Sequence, residues 1–196
     1  KKTLCLTDSS IDYLLIKYPN LKRNKFIRIR TGVSKENFIY RKKKLDLDNL
    51  IFCYLGTTDG AYDFDLSLKV FLNFKKIYVN SKIKIISNDF KNNIEKKIKK
   101  NNLDSNDYEI INLNYNDVSN ELNKTDVGIF FLKKNLSIIA SFPTKIAEYF
   151  ICNKPIISNN FNNDIHDVID FKRGFLVNDL KELNSYKINK LKNIIL

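Results

Sequence analysis

The 196-residue sequence has no methionine, no tryptophan and one histidine, His166, with only three cysteines, three prolines and five glycines. Each scarcity removes a class of chemistry. A lone histidine and three cysteines without C-x-x-C spacing leave a structural zinc site almost without ligands. Cys5, Cys53 and Cys152 are odd in number and sit inside apolar runs. They read as reduced core residues of a cytoplasmic chain, not as a disulfide framework. No apolar run approaches the roughly 20 residues of a membrane span. The opening KKTLCLTDSS has too short an apolar core for a secretion signal. No G-x-G-x-x-G follows the first strand, and Ser and His show no triad-like grouping. The chain opens inside a strand without an initiator, so it is expected to be the C-terminal part of a longer protein.

What is abundant is positive charge, with 34 basic against 22 acidic residues and a net charge of +12. Such an excess raises nucleic acid or an anionic membrane as partners. The sequence is also saturated with Lys, Asn and Ile, as an AT-rich genome would give. Runs such as RKKK (41–44) and KKIKK (96–100) therefore read as solvated faces. Arginine is scarce and the aromatics lie in core-like apolar runs, which argues against nucleic acid. A basic nucleic-acid-binding module is kept as the alternative from another class.

Strand and helix patterns alternate along the chain. TLCLT (3–7) reads as a strand. SSIDYLLIKYP (9–19) reads as a helix with Ser9 and Asp12 spaced as a capping box. FIRIR (26–30) is a second strand, TGVSKENF (31–38) turns on Gly32, and YRKKKLDLDN (40–49) is a charged linker. LIFCYLG (50–56) has the continuous apolar character of a strand buried on both faces. Residues 65–79 follow as a helix with Leu66, Val70, Phe74, Ile77 and Tyr78 on one stripe. Further strands are expected at 82–86, 108–113, 127–132, 154–158 and 174–177. Helices are expected near 89–101, 116–124, 142–152, 163–170 and 179–196. This period predicts an α/β fold with a doubly wound, Rossmann-like parallel sheet. Ligands of such sheets bind outside the carboxyl ends of the strands.

One of those carboxyl-end helices carries unusual residues. In SFPTKIAEYF (141–150), Pro143 suits the first helical turn, where a missing N–H costs nothing. Ser141 and Phe142 then stand at the helix start, beside free backbone N–H groups and the positive dipole end, which together attract anions. Thr144, Lys145 and Glu148 share one face. A carboxylate one turn behind a phosphate-binding end can accept hydrogen bonds from vicinal ribose hydroxyls. Spacing alone leaves two readings open: this nucleotide site, or a Thr-capped packing helix with a Glu–Lys pair.

The wider pattern resembles a known family. FPTKIAEYFICNKPIISN, preceded by TDVGIFFL and followed by GFLV, resembles the donor-binding half of GT-B glycosyltransferases. It looks closest to the group 1-like bacterial enzymes that build cell-surface polysaccharides, which share a P-T-K-x-x-E-Y segment. FIRIRTGVSKENF resembles the segment joining the two GT-B domains. The resemblance implies that 1–40 is the tail of the acceptor domain and the interdomain linker. Residues 41–196 would be the C-terminal nucleotide-sugar-binding domain, one half of a GT-B fold.

Carried over, the resemblance implies that Glu148 holds the donor ribose and that the 141–145 loop and helix start hold the diphosphate. Gly56 would let the backbone approach phosphates and sugar, with Thr57 beside it, and Asn114 and Tyr115 would frame the nucleobase. The implied reaction is hexosyl transfer, retaining and metal-independent. It runs from a UDP-, GDP- or similar nucleotide sugar to a cell-surface glycan or lipid-linked acceptor. No cofactor is implied, and location is cytoplasmic, with peripheral contact on the inner membrane suiting the charge. The catalytic groups would lie mostly in the acceptor domain, leaving this piece alone inactive. Two departures stand out. Ala140 occupies the first position of the retaining E-x7-E pair, and GTTDGAYDFD replaces the family's G-R and K-G phosphate ligands. A nucleotide-sugar epimerase of the same fold is the runner-up among enzymes, but the acidic and His groups it needs are scarce here. The D-x-D sequences at 46–48 and 63–65 match a metal-holding pair of another glycosyltransferase fold, GT-A, but Asp63 and Asp65 sit where a helix begins and are better explained by N-capping. Asp164, Asp167 and Asp170 beside His166 read as dipole partners on a solvated face.

Overall fold

The computed structural model describes residues 1–170 and 172–195. Strand β1 (Thr3–Cys5), helix α1 (Asp8–Lys17) and strand β2 (Phe26–Arg28) make a small unit in which β1 and β2 pair in parallel. The main sheet contains β3 (Ile51–Leu55), β4 (Lys82–Ile86), β5 (Tyr108–Ile111), β6 (Val127–Ile129), β7 (Ile156–Ser158) and β8 (Gly174–Leu176). Its order is β5-β4-β3-β6-β7-β8, and every pairing is parallel. The strand order reverses between β3 and β6, which is the topological switch point of a Rossmann-like sheet. The connecting helices are α2 (Phe64–Lys75), α3 (Lys91–Lys100), α4 (Tyr115–Asn123), α5 (Leu136–Ile139) and α6 (Thr144–Ile151), with α7 (Ser185–Ile195) last.

The apolar runs explain the layers. Phe52, Cys53 and Tyr54 of β3 are all buried, as a central parallel strand covered on both faces requires. Phe71 and Phe74 of α2 pack edge-on or tilted against Phe52, 5.3 and 5.5 Å between ring centroids. The Cys53 thiol, fully enclosed, is pushed up to about 12 by that burial and is inert at neutral pH.

Several local expectations are corrected. Helix α1 is capped by Thr7, whose Oγ1 accepts from the Ser10 N–H at 3.1 Å; Ser9 and Asp12 form no capping box. The Ser9 N–H is committed to Asp164, and the Asp12 carboxylate to Arg23 at 2.8 Å. The turn after β2 closes on Ser34, whose carbonyl accepts from Asn37 and Phe38, and not on Gly32. Helix α2 ends at Lys75, and its buried face runs through Phe64, Leu68, Phe71 and Phe74 beside Val70, leaving Ile77 exposed. Residues 163–167 form 3-10 turns instead of an α-helix, and a separate 3-10 turn at 180–182 precedes α7. Leu196, the end of the expected last helix, lies outside the described residues. Helix α5 was not expected; Asn135 caps it, accepting from the Ile138 N–H at 3.1 Å.

The 40–49 segment is no free linker. The Arg41 N–H donates to Asn123 at 2.7 Å, and Lys43 Nζ lies 2.6 Å from both Asp126 oxygens. Part of RKKK is therefore an anchor. In KKIKK, Ile98 is buried and Lys97 donates to the Thr58 carbonyl at 2.7 Å. The acidic cluster after β7 also has a structural task. Asp164 is 3% exposed and accepts from the Asp8 N–H (2.7 Å), the Ser9 N–H (2.9 Å) and the Ser9 hydroxyl (2.7 Å). It thus seats a carboxylate on the positive end of α1. Arg28 and Arg30 pair with Asp167 beside it. His166 is exposed.

Two substitutions test this frame. A Cβ at Gly128 would fall 2.7 Å from the Tyr149 ring, so Gly128→Ala is expected to lower stability by about 1–3 kcal/mol, read from the urea midpoint. Burial raises the pKa of Asp164, but its hydrogen bonds to Ser9 and Asp8 and the charge of Arg28 outweigh it and hold the carboxyl below 3.8. Its contribution is therefore present above pH 3.8 and lost as pH falls through the folded value. Asp164→Ala should cost on the order of 2–3 kcal/mol at pH 7, with the gap to wild type closing in acid.

Candidate functional site

A cleft of about 260 Å³ opens at the carboxyl ends of β3, β4 and β5, beside the switch point. Gly56, Thr57, Tyr62, Ser87, Tyr115 and Lys145 are among its lining residues. Four segments distant in sequence thus converge here: the loop after β3, the end of β4, the end of β5 with the start of α4, and the start of α6.

Helix α6 begins one residue later than its proline suggested. Pro143 is the N-cap, with φ −61° and ψ 133°, and lies outside the first turn. A cap needs no N–H of its own, so proline is as well suited to this position. Thr144 and Lys145 occupy the first two helical positions, where N–H groups have no acceptor four residues back. The next N–H, of Ile146, is taken by the Pro143 carbonyl at 3.2 Å. Ser141 contributes less than its position promised. Its N–H donates to Ile138 O at 3.0 Å and its hydroxyl to Ser137 O at 3.1 Å, so both donors are committed to the α5 turn. Phe142 is buried, with its ring beneath Arg30 at 5.2 Å and its carbonyl accepting from the Thr31 hydroxyl at 2.5 Å.

Glu148 lies one turn behind that helix start and is only 2% exposed. Its Oε2 stands 3.6 Å from Lys145 Nζ, an ion pair too long for a good hydrogen bond. Burial pushes its carboxyl above the ordinary 4.5, against the opposing pull of Lys145 and Thr144. The site therefore holds a carboxylate with unused acceptor capacity, shielded from water.

Gly56 has φ +141°, which a side chain would strain. A Cβ there would sit 3.4 Å from the Tyr62 ring and 3.8 Å from Lys145 Cε. Those are ordinary contact distances, so it is the backbone conformation, and not room for the two side chains, that calls for glycine here. Thr57 is exposed, and its carbonyl accepts from the Tyr54 hydroxyl at 2.5 Å. The loop beyond is pinned: Thr58 N and Oγ1 donate to Asp89 at 2.5 and 2.7 Å, and Lys97 pairs with Asp59 at 2.6 Å. Tyr115 reaches the cleft, with its ring edge-on to Phe38 at 5.4 Å. Asn114 caps α4 without a side-chain bond and does not line the cleft.

Tyr62 is the residue that sequence reasoning missed. Its phenol is pushed up by burial and then by the Glu148 charge, which also acts on Tyr115. Its one signal was its place six residues after Gly56. Ala140 is exposed and ends α5. Asp63 caps α2, accepting from the Leu66 N–H at 3.0 Å, and Asp46 accepts from Asp48 and Asn49 within its own turn. Among the described residues, no group of three or more His, Cys, Asp or Glu side chains is placed to hold a metal ion.

With this geometry in hand, the chain can be set beside known proteins. Residues 35–193 match the family described as glycosyl transferases group 1, and the chain belongs to that family. Among solved structures, it is similar to S. aureus TarM, a variant of which was solved with UDP, at TM-score 0.69 and 16% identity, covering 99% of this chain and 36% of that one. Anabaena HepE, solved with UDP, gives TM-score 0.71 at 12% identity, over 99% of this chain and 54% of HepE. The C-terminal domain of the Francisella tularensis group 1 protein LpcC gives TM-score 0.61 at 15% identity, over 84% and 88% of the two chains. At such identities the likeness establishes the fold, a Rossmann-like half of the GT-B architecture. The chain spans about a third to a half of TarM and HepE. No curated protein matches it by sequence.

The raised pKa of Glu148 sets a sign. A carboxyl whose folded pKa lies above the unfolded 4.5 favours the protonated fold, so its ionisation costs stability as pH rises through the folded value. Glu148→Gln should therefore raise the melting temperature at pH 7, with the gain fading as pH falls below 4.5. A variant that melts lower at pH 7 would show the carboxylate to be a net stabiliser.

Proposed function

We propose that the cleft binds a nucleotide sugar and that the chain is the donor half of a GT-B glycosyltransferase. On this reading 41–196 is the nucleotide-sugar-binding domain, and 1–40 the tail of the acceptor domain with its linker. The observation that carries it is a buried, under-used carboxylate one turn behind a helix start with two free N–H groups and a lysine. A diphosphate suits the N–H groups of Thr144 and Lys145 together with Lys145 Nζ, and Glu148 suits two vicinal ribose hydroxyls. Tyr115 and Tyr62 supply aromatic walls for the base and sugar ends. Pro143 and Phe142 set the helix start, and Ser141 braces the loop. Gly56 and Thr57 offer backbone to the sugar. The UDP bound by HepE and the TarM variant supports the choice of nucleotide.

In the transfer, the bond from the anomeric carbon to the leaving phosphate oxygen breaks, an acceptor hydroxyl oxygen bonds to that carbon, and the hydroxyl proton passes to the departing diphosphate. Negative charge gathers on the departing diphosphate, where preoriented N–H groups and Lys145 are most effective. Those groups meet the charge without calling on a metal. We read the transfer as retaining and the acceptor as a cell-surface glycan or its lipid carrier, on the family resemblance. The acceptor-binding groups would come from the other domain, at the cytoplasmic face of the membrane.

Calorimetric titration with UDP and with GDP tests the reading. One nucleotide should bind saturably, and Glu148→Ala and Lys145→Met should each weaken it about tenfold or more, the value of a charge-assisted hydrogen bond. If neither nucleotide binds while a DNA duplex does, the basic-module alternative replaces it.

A further inference from the structure

At the opposite end of the sheet lies a second cavity, of about 230 Å³, lined by residues that precede β6, β7 and β8. Lys154, just before β7, is 6% exposed, and its ammonium has no hydrogen-bond or ion-pair partner among the described residues. The ammonium itself is not fully enclosed, and an ammonium with no protein acceptor is open to a bound anion. The carboxylate that shares the cavity, Asp126, is already held by Lys43 at 2.6 Å and by the Ile51 N–H at 2.8 Å. Lys172 and Arg173 add positive charge at the rim, Arg173 sharing Asp170 at 3.2 Å. Phe150 and Ile195 supply an apolar wall.

We propose that this cavity is a second anion site, separate from the nucleotide cleft, which takes a phosphate ester carrying a short apolar substituent. Beyond the Lys43–Asp126 and Arg173–Asp170 pairs, Lys154 and Lys172 also line it, two ammonium groups with no carboxylate partner among the described residues. A phosphate has the charge and the acceptors to satisfy both of them at once. The volume admits the phosphate and a few further atoms, which the apolar wall would cover. Burial depresses the Lys154 pKa, Asp126 opposing and Lys43 adding to the effect; a bound dianion would reverse the balance. The ester has two sources, a soluble metabolite or the headgroup of an anionic phospholipid.

Two probes separate the sources: glycerol 3-phosphate by calorimetry, and cosedimentation with phosphatidylglycerol-containing phosphatidylcholine vesicles. Lys154→Met replaces the ammonium with an apolar chain of similar length, so its melting temperature should hold or rise. It should weaken binding about tenfold or more. Lys145→Met reports any binding in the nucleotide cleft, and Lys96→Glu, on the exposed face of α3, reports non-specific attraction. Saturable glycerol 3-phosphate binding that depends on Lys154 supports the site with a soluble ligand. Lys154-dependent vesicle binding alone supports it with a lipid headgroup. Should Lys154→Met not fold, Lys172→Glu at the rim decides by the same criteria. Absence of saturable binding to either probe, or binding that follows Lys145 or Lys96 in place of Lys154 and Lys172, overturns the proposal. Because Lys145 and Lys154 are read separately, a failure of the nucleotide reading does not carry this one with it.

Discussion

Tyr149 ties helix α6 to the middle of the sheet. Its hydroxyl donates to the Cys53 carbonyl of β3 at 2.9 Å, and its ring lies flat on β6, where Gly128 leaves the room. Phe130 stacks against the same ring, 6.2 Å away and 10° from parallel. One buried side chain therefore fixes the helix against both strands that flank the switch point. Glu148 is its neighbour in sequence and Lys145 lies one turn earlier, so their directions follow from the strap. A helix held only by apolar packing could rotate or slide. A buried hydrogen bond of this kind admits one register, because losing it would strand a phenol and a carbonyl without water.

The two ends of the sheet then differ in kind. At the carboxyl ends, Lys145 lines the cleft, with the start of α6 beside it and the Glu148 carboxylate one turn behind. At the amino ends, an unpaired ammonium stands in a cavity rimmed by further cations. Burial acts against both charges, raising the pKa of Glu148 and lowering that of Lys154. Apolar residues of similar size would suit the fold better at either position. Buried charges that weaken a fold mark positions where binding, and not packing, accounts for the residue. The core between them is made chiefly of Phe, Ile, Leu and Val, with uncharged Tyr and Cys side chains among them.

How much of this could be read from the chain follows from the range of each interaction. Strand β3 announced itself as an uninterrupted apolar run, because a doubly covered parallel strand has no polar face to alternate with. The helix carrying Pro143, Lys145 and Glu148 was legible because three odd residues fell within one turn and a half. Contacts across long separations were not. Asp164 reads as a solvated acid until α1, more than 150 residues earlier, is seen seated on it. Lys43 reads as part of a basic run until Asp126 is placed beneath it. Tyr62 carries no periodic signal, and its place at the cleft appears only when the loop after β3 is folded back beside Lys145. Even the cap of α1 was misread locally, because a tertiary partner had taken the Ser9 N–H.

Those long-range contacts also connect the small β1–α1–β2 unit to the cleft. Thr7 Oγ1 donates to the Ile139 carbonyl at 2.6 Å, and Thr31 Oγ1 to the Phe142 carbonyl at 2.5 Å. Arg30 lies over the Phe142 ring, while Asn162 donates to Ser141 O at 2.8 Å from the other side. The loop that feeds α6 is thus held between the N-terminal unit and the segment after β7. A displacement of the small unit must break those hydrogen bonds or draw the Ile139 and Phe142 carbonyls with it. Helix α6 cannot follow, since Tyr149 anchors it to β3. The difference has to be absorbed in residues 140–143, the four that set where the first free N–H of the helix points.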